Sequence, residues 1–249
     1  MSEAKNIEYK SPEIEAFYRT HRVRWDQFYE SERVIFSALE LGAGSAVLDI
    51  GCGCGGLGLA LREKFGLTRY TGVEINRQAA ESAQNVYPQG RFLAADILDP
   101  PPGALADSSF DMVASLGCID WNLQFSAMFA AAWRYVKPGG HFVSSFRLTT
   151  GATVNDMRRS WQYINFEGKQ EGEAAPYVVL NLRELLGLFN SLNPAAIRGF
   201  GYNGAPSPTA VTPFSQVVFC VIAVQKRVAG SEPTRMVLDL PPELLAASV

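Results

Sequence analysis

The chain has 249 residues, 47% of them hydrophobic and 19% charged, with a formal net charge of −3. So much apolar content with so little charge excludes a disordered chain. The near-neutral balance leaves no electrostatic footprint for general nucleic-acid or anionic-membrane binding.

Residues 1–12 are polar and lack the apolar centre of a signal peptide. From Pro12 to Leu41, apolar and aromatic residues such as Ile14, Phe17, Tyr18, Trp25, Phe28, Ile35 and Phe36 predict a helix that Gly42 and Gly44 stop. The period then changes. Ala46–Ile50 is a short apolar run ending in a glycine cluster. Leu57–Phe65 reads as helix, Tyr70–Glu74 as strand, and Asn76–Val86 as a helix capped by Asn76. Arg91–Ala95 and Phe110–Ser115 are strand-like. Asn122–Val136 is a helix that Lys137-Pro-Gly-Gly140 terminates, and His141–Phe146 is a fifth strand. Strands alternating with helices indicate βαβ units, hence an α/β sheet with helices on both faces.

Residues 148–180 break this rhythm and are too long for a simple connection, so they are expected to form a lid. Asn181 caps a helix to about Asn190. Two strands follow, Ala195–Tyr202 and Phe214–Val224, joined only by a loop and therefore most easily antiparallel. Residues 227–249 read as a tail. The expected organisation is a helical cover over 1–41, a core over 42–226 carrying the lid at 148–180, and the tail. No apolar run approaches the roughly 20 residues that span a bilayer, so a cytoplasmic protein with no membrane partner is expected.

The informative segment is VLDIGCGCGGLG, residues 47–58. A buried strand delivers Asp49, a glycine turn follows, and a helix begins, which is the design of a nucleotide-type site at a strand's C-terminal end. Two registers satisfy the dinucleotide fingerprint, Gly51-x-Gly53-x-x-Gly56 and Gly53-x-Gly55-x-x-Gly58, so the loop alone is ambiguous. Glu74, at the end of strand two, suits the ribose of either a nicotinamide or an adenosyl ligand. Asp96, at the end of strand three, can accept a hydrogen bond from an adenine amino group. The antiparallel last strand is not what repeated βαβ halves predict. Cys52 and Cys54 have no second Cys or His cluster to complete a zinc site, and no metal is expected.

With these signals in order, the chain resembles the class I S-adenosylmethionine-dependent methyltransferases from about Ala46 to Gln225. The matching residues are the DxGxGxG run Asp49–Gly55, Glu74, Asp96-Ile97, FDMVASLG at 110–117 and WRYVKPGGHFVSSF at 133–146. The resemblance implies a Rossmann-like seven-stranded sheet of order 3-2-1-4-5-7-6 with strand seven antiparallel. It implies S-adenosylmethionine as cofactor and S-adenosylhomocysteine as product. Position by position, it implies that Gly51, Gly53 and Gly55 pack against the methionine and ribose portions and that Asp49 orders the loop. Glu74 would hold the ribose beside Ile75, Asp96 and Ile97 would take the adenine, and Ser115 and Leu116 would line the methionine side.

The catalytic group is not fixed by the cofactor motif, because an activated methyl donor mainly needs alignment and exclusion of water. His21, in FYRTHRVRWDQFY, is a candidate base, with Tyr18, Arg22 and Arg24 as candidate grips. The same residues also suit the polar face of a cover helix. After strand four, Asp120 is a candidate catalytic residue to orient or deprotonate an acceptor and Trp121 to wall its pocket; Asp120 equally suits a helix cap. The segment SLGC lacks the Asn/Asp-Pro-Pro-aromatic tetrad of the family's nucleic-acid amino-methylating members. In the lid, Arg158, Trp161, Tyr163 and Phe166 suit an anionic or sugar-like molecule, or a packing helix with a solvated face. The leading expectation is methylation of a hydroxyl or amine on a small molecule by a monomer or homodimer. The alternatives are a protein or RNA methyltransferase, a nicotinamide-dependent oxidoreductase, and a noncatalytic adenosyl-binding module.

Overall fold

The computed structural model describes residue 8 and residues 12–165, 167–230 and 232–247. Phe166 and most of the polar segment 1–11 lie outside these residues.

Instead of one helix over 12–41, the N-terminal region forms α1 (Pro12–Tyr18), a 3-10 turn (Trp25–Gln27) and α2 (Glu30–Ser37). The break is local. Arg22 takes a left-handed φ of 59°, which a continuing helix of L-residues does not accommodate. The side chain of Gln27 then accepts hydrogen bonds from the Val23 and Arg24 backbone, fixing the chain in its new direction.

The core alternates as expected: β1 (Ala46–Ile50), α3 (Gly56–Phe65), β2 (Arg69–Glu74), α4 (Arg77–Val86), β3 (Arg91–Ala94), β4 (Phe110–Ser115), α5 (Phe125–Tyr135) and β5 (Val136–Thr149). Asn76 caps α4 by accepting from the Ala79 N–H. The fifth strand begins at Val136 rather than His141, with a register irregularity opposite Phe110 and Met112 where Pro138-Gly139-Gly140 pass. Beyond β5 come β6 (Trp161–Tyr163), β7 (Ala174–Pro176), β8 (Leu180–Asn181), α6 (Leu182–Ser191), β9 (Ala196–Gly204), β10 (Ala210–Val211), β11 (Val217–Gln225), β12 (Arg235–Asp239) and α7 (Pro242–Ala246).

The main sheet runs β12-β9-β11-β5-β4-β1-β2-β3, with β8 paired to β5. β11 is antiparallel to both β5 and β9, while β3, β2, β1, β4 and β5 are mutually parallel. Numbering β9 and β11 as the sixth and seventh strands gives the expected order 3-2-1-4-5-7-6. Both faces of the centre are covered, as parallel sheets require. Leu48 and Ile50 pack with Phe129, Phe142 and Phe189 on one face. Val47, Met112 and Ala114 pack with Ile35, Phe36 and Leu61 on the other.

Two differences matter. The expected tail instead adds β12, parallel to β9 at the sheet edge, and α7, with Leu240 and Leu244 buried. An edge strand carries no fully buried run: Met236 and Val237 are exposed, so its sequence reads as surface. The insertion after β5 also does not stand by itself but shares a sheet with the loop between β9 and β11. β10 from that loop pairs with β6, and β6 with β7, in one small three-stranded sheet.

Candidate active site

The glycine loop joins β1 to α3. Gly51 has φ +72°, and a Cβ there would lie 2.6 Å from Cys118 Sγ, so only glycine lets the turn after β4 approach. Gly53 has φ +51°, and its missing Cβ faces open space. The Gly53 N–H donates to Glu74 Oε2 (2.9 Å) and the Asn76 N–H to Oε1 (2.9 Å). The end of β2 therefore holds the loop through one half-buried carboxylate, whose protonation burial favours. Gly55 packs against the Phe92 ring. Beneath the loop, buried Asp49 accepts a hydrogen bond from the Tyr70 hydroxyl. Burial, opposed in part by that bond, pushes its carboxyl up to about 7. Cys52 and Cys54 are buried free thiols. Burial pushes Cys54 up to about 12, which suits packing rather than nucleophilic chemistry.

Two adjoining spaces open at these strand ends. The smaller, about 90 Å³, is lined by Glu74, Ile75, Asp96 and Ile97, among others. The larger, about 600 Å³, takes in Asp49, Gly51, Gly53, Glu74 and Leu116 on one side. Its volume falls within the roughly 300–1,000 Å³ of ligand sites. Gly51, Glu74, Gly117 and Trp121 line both, so the two spaces meet at one wall. Asp96 Oδ1 accepts from the Leu98 N–H, which orients the carboxylate. Ser115 lines neither space. It is buried, and its hydroxyl accepts from the Ile119 N–H, ordering the turn after β4.

The far side of the large cavity is built from three segments. The cover supplies Tyr18, His21, Arg22 and Glu32. His21 stacks on Phe17 with ring centroids 3.9 Å apart, and its Nδ1 lies 2.9 Å from the Phe17 carbonyl oxygen. Arg22 donates to buried Glu32 at 2.7 Å and lies over the Phe28 ring. The turn after β4 supplies Asp120 and Trp121, and β5 supplies Ser145 and Arg147. Asp120 is buried, and desolvation outweighs nearby Arg147 to raise its carboxyl above the usual range. β6 supplies Gln162, the residues just after it supply Ile164, and β9 supplies Tyr202.

The structure thus brings Tyr18, His21, Asp120 and Trp121 together with Asp49, Gly51, Gly53, Glu74 and Leu116. Ile75, Asp96 and Ile97 join them across the shared wall. Four expected substrate residues are placed elsewhere. Arg24 is exposed beside Asp26, and Arg158 is exposed and ion-paired with Asp156. Trp161 and Tyr163 flank Gln162 in β6 but do not line the cavity; alternate residues of a strand face opposite ways, so the neighbours of the aromatic residues carry the cavity face. Glu32, Arg147, Gln162 and Tyr202 were not singled out. Only Arg147 leaves a signal in the chain, a charge inside the apolar run HFVSSFRL.

Residues 47–140 match a family described as a methyltransferase domain. Residues 47–140 form a methyltransferase domain. Ribosomal protein L11 methyltransferase of Burkholderia mallei is 36% identical over 102 residues, 41% of this chain and 32% of that protein. Matched segments span 25% to 32% of the first curated relatives' own lengths. A methyltransferase of Methanosarcina mazei has the same fold at 18% identity and TM-score 0.59, covering 81% of this chain and 99% of that one. A phosphoethanolamine N-methyltransferase of Haemonchus contortus, solved with phosphomonomethylethanolamine and S-adenosylhomocysteine, has TM-score 0.59 at 15% identity. That match covers 86% of this chain and 57% of that one.

The residues of the methyltransferase domain fit S-adenosylmethionine. Carboxylates end β1 and β2 and follow β3, apolar Ile75 and Ile97 sit beside the outer two, and the open side of Gly53 leaves room between. Such a set matches an ammonium, a ribose diol and an amino-purine. No helix among the described residues is long and apolar enough to cross a membrane.

Proposed function

We propose that this methyltransferase domain transfers a methyl group from S-adenosylmethionine to an oxygen or nitrogen of a small-molecule acceptor. The observation that carries this reading is the shared wall of Gly51, Glu74, Gly117 and Trp121. It connects the space suited to an adenosyl group with a concave cavity walled on its far side by the cover and the insertion after β5. A concave cavity of about 600 Å³ is the size of a small-molecule site.

Bound S-adenosylmethionine supplies an already activated methyl group, so the chain's own residues align the acceptor and exclude water. Gly53 and Glu74 hold the donor side, with Asp96 on the adenine. Asp120 is the favoured base, because it lines the cavity from the turn after β4 and burial raises its proton affinity. Asp120 would orient the acceptor's oxygen or nitrogen toward the donor side and take the proton that it loses on methylation. His21 serves as part of the cover, its ring held on Phe17.

Incubation with methyl-labelled S-adenosylmethionine and a fractionated cell extract tests the acceptor class. Label is expected in the small-molecule fraction. Label confined to protein or RNA would overturn the small-acceptor reading while leaving methyl transfer intact.

A further inference from the structure

Arg147 is buried, yet it lies in the cavity wall. The rings of Tyr177 and Trp121 lie 4.1 and 4.3 Å from its guanidinium carbon. Aromatic clamping of this kind fixes the plane of the group. Its Nε donates to the Val178 carbonyl at 3.0 Å and its Nη2 to the Asp120 carbonyl. The Asp120 carboxylate is nearby, but Oδ2 is 3.5 Å from Nη2, long for a hydrogen bond.

That leaves Nη1. It donates to no described residue, and it is not among the sealed polar atoms without a partner, which are Arg33 Nε, Tyr87 Oη and Tyr177 Oη. Nη1 therefore opens on the cavity. The ion pair with Asp120 at 3.5 Å is made through Nη2, so Nη1 of this buried cation is an unmet donor, costly until an acceptor completes it. Arg22, also in the cavity wall, differs: its guanidinium is already satisfied at 2.7 Å by buried Glu32.

We infer that Arg147 is the specificity-determining residue of the acceptor site and that the acceptor carries a carboxylate which takes its Nη1 edge. This rests on the methyltransferase reading above and narrows it to acidic small molecules. A carboxylate there would gain a charge-assisted hydrogen bond from a donor whose orientation is already set. A neutral amide of the same shape would not.

The test is calorimetric titration of the full chain holding S-adenosylhomocysteine. The probes are benzoate, 4-hydroxybenzoate and succinate, each against its neutral amide. At least one acid should bind, with its amide weaker by about tenfold or more, as a lost hydrogen bond to a charged group implies. Arg147→Gln should weaken the acid by roughly tenfold to a hundredfold, and Arg147→Lys by less, both with unchanged S-adenosylhomocysteine affinity as proof of folding. Equal affinity for acid and amide, an indifferent Arg147→Gln, or no acid bound by the loaded wild type would overturn the inference. Failure of S-adenosylhomocysteine itself to bind would instead overturn the reading beneath it.

Discussion

The two walls of the cavity are built on different principles. The cofactor wall consists of strand ends: Asp49, Gly51, Gly53, Glu74 and Asp96 all lie within 48 residues, at or just beyond the C-terminal edges of β1, β2 and β3. The acceptor wall is assembled from the cover, the turn after β4, the end of β5, the small sheet and β9. Its residues run from Ile14 to Val221. The first wall is set by local chain geometry and the second by tertiary packing. Substitutions should therefore separate donor binding from acceptor chemistry.

The largest separation is expected at Asp120. Asp120→Asn removes the proposed base without changing shape, and should lower kcat by about a hundredfold to ten-thousandfold. Cofactor affinity measured by calorimetry should be unchanged. A kcat loss below tenfold would transfer the base to another group or to water.

The two walls touch at Gly56, where an added Cβ would run into the Arg22 carbonyl oxygen. Both partners there are backbone, so neither yields easily. Gly56→Ala should cost about 1–3 kcal/mol of stability, read as a fall in Tm, and should loosen the cover. An unchanged Tm would mean that the cover is not seated on α3.

Proton linkage at Asp49 offers a finer distinction. Its folded pKa, about 7, is raised above the ordinary value of 3.8. The sign follows: the buried carboxyl costs no stability below pH 3.8, where folded and unfolded forms are both protonated. The cost grows between pH 3.8 and 7, as only the unfolded form ionises. A ligand ammonium beside Asp49 favours the ionised form. Affinity for S-adenosylmethionine should thus rise about tenfold from pH 6 to pH 8. Affinity independent of pH would remove Asp49 from the cofactor's ammonium.

The smallest effects are expected at Arg24 and Arg158. Both are exposed and paired only with exposed or half-buried aspartates. Their alanine variants should leave Tm and turnover unchanged. Loss of turnover would mean that the segment concerned, the cover for Arg24 or the lid for Arg158, brings its arginine to the acceptor.

The same contrast explains what was legible in the sequence. The parallel strands could be read as short runs between helices or turns, and their order followed from the class I resemblance carried by the glycine loop, Glu74 and Asp96. The site residues stand at predictable places, immediately after Ile50, Val73 and Ala95. The antiparallel β11 could be read because no helix separates it from β9. The cover and lid could not be read in detail. A helical period over residues 12–41 cannot show that Arg22 turns left-handed, because that turn depends on Gln27 and on contact with α3. In β6, aromatic residues attract attention, but strand alternation gives the cavity face to Gln162. Arg147 and Glu32 act through partners, Trp121 and Tyr177 for one and Arg22 for the other, that are distant or unremarkable in the chain. β12 went unrecognised because an edge strand needs no buried run.

The central claim is that the loop, Glu74 and Asp96 form an adenosylmethionine site rather than a dinucleotide site. Calorimetric titration of the wild type and of Glu74→Ala with S-adenosylmethionine, S-adenosylhomocysteine and NAD tests it most directly. The account predicts that both adenosyl ligands bind the wild type, that NAD does not, and that Glu74→Ala weakens both by about a hundredfold, as two lost charge-assisted hydrogen bonds imply. Binding of NAD without either adenosyl ligand, or an unaltered affinity in Glu74→Ala, would contradict it.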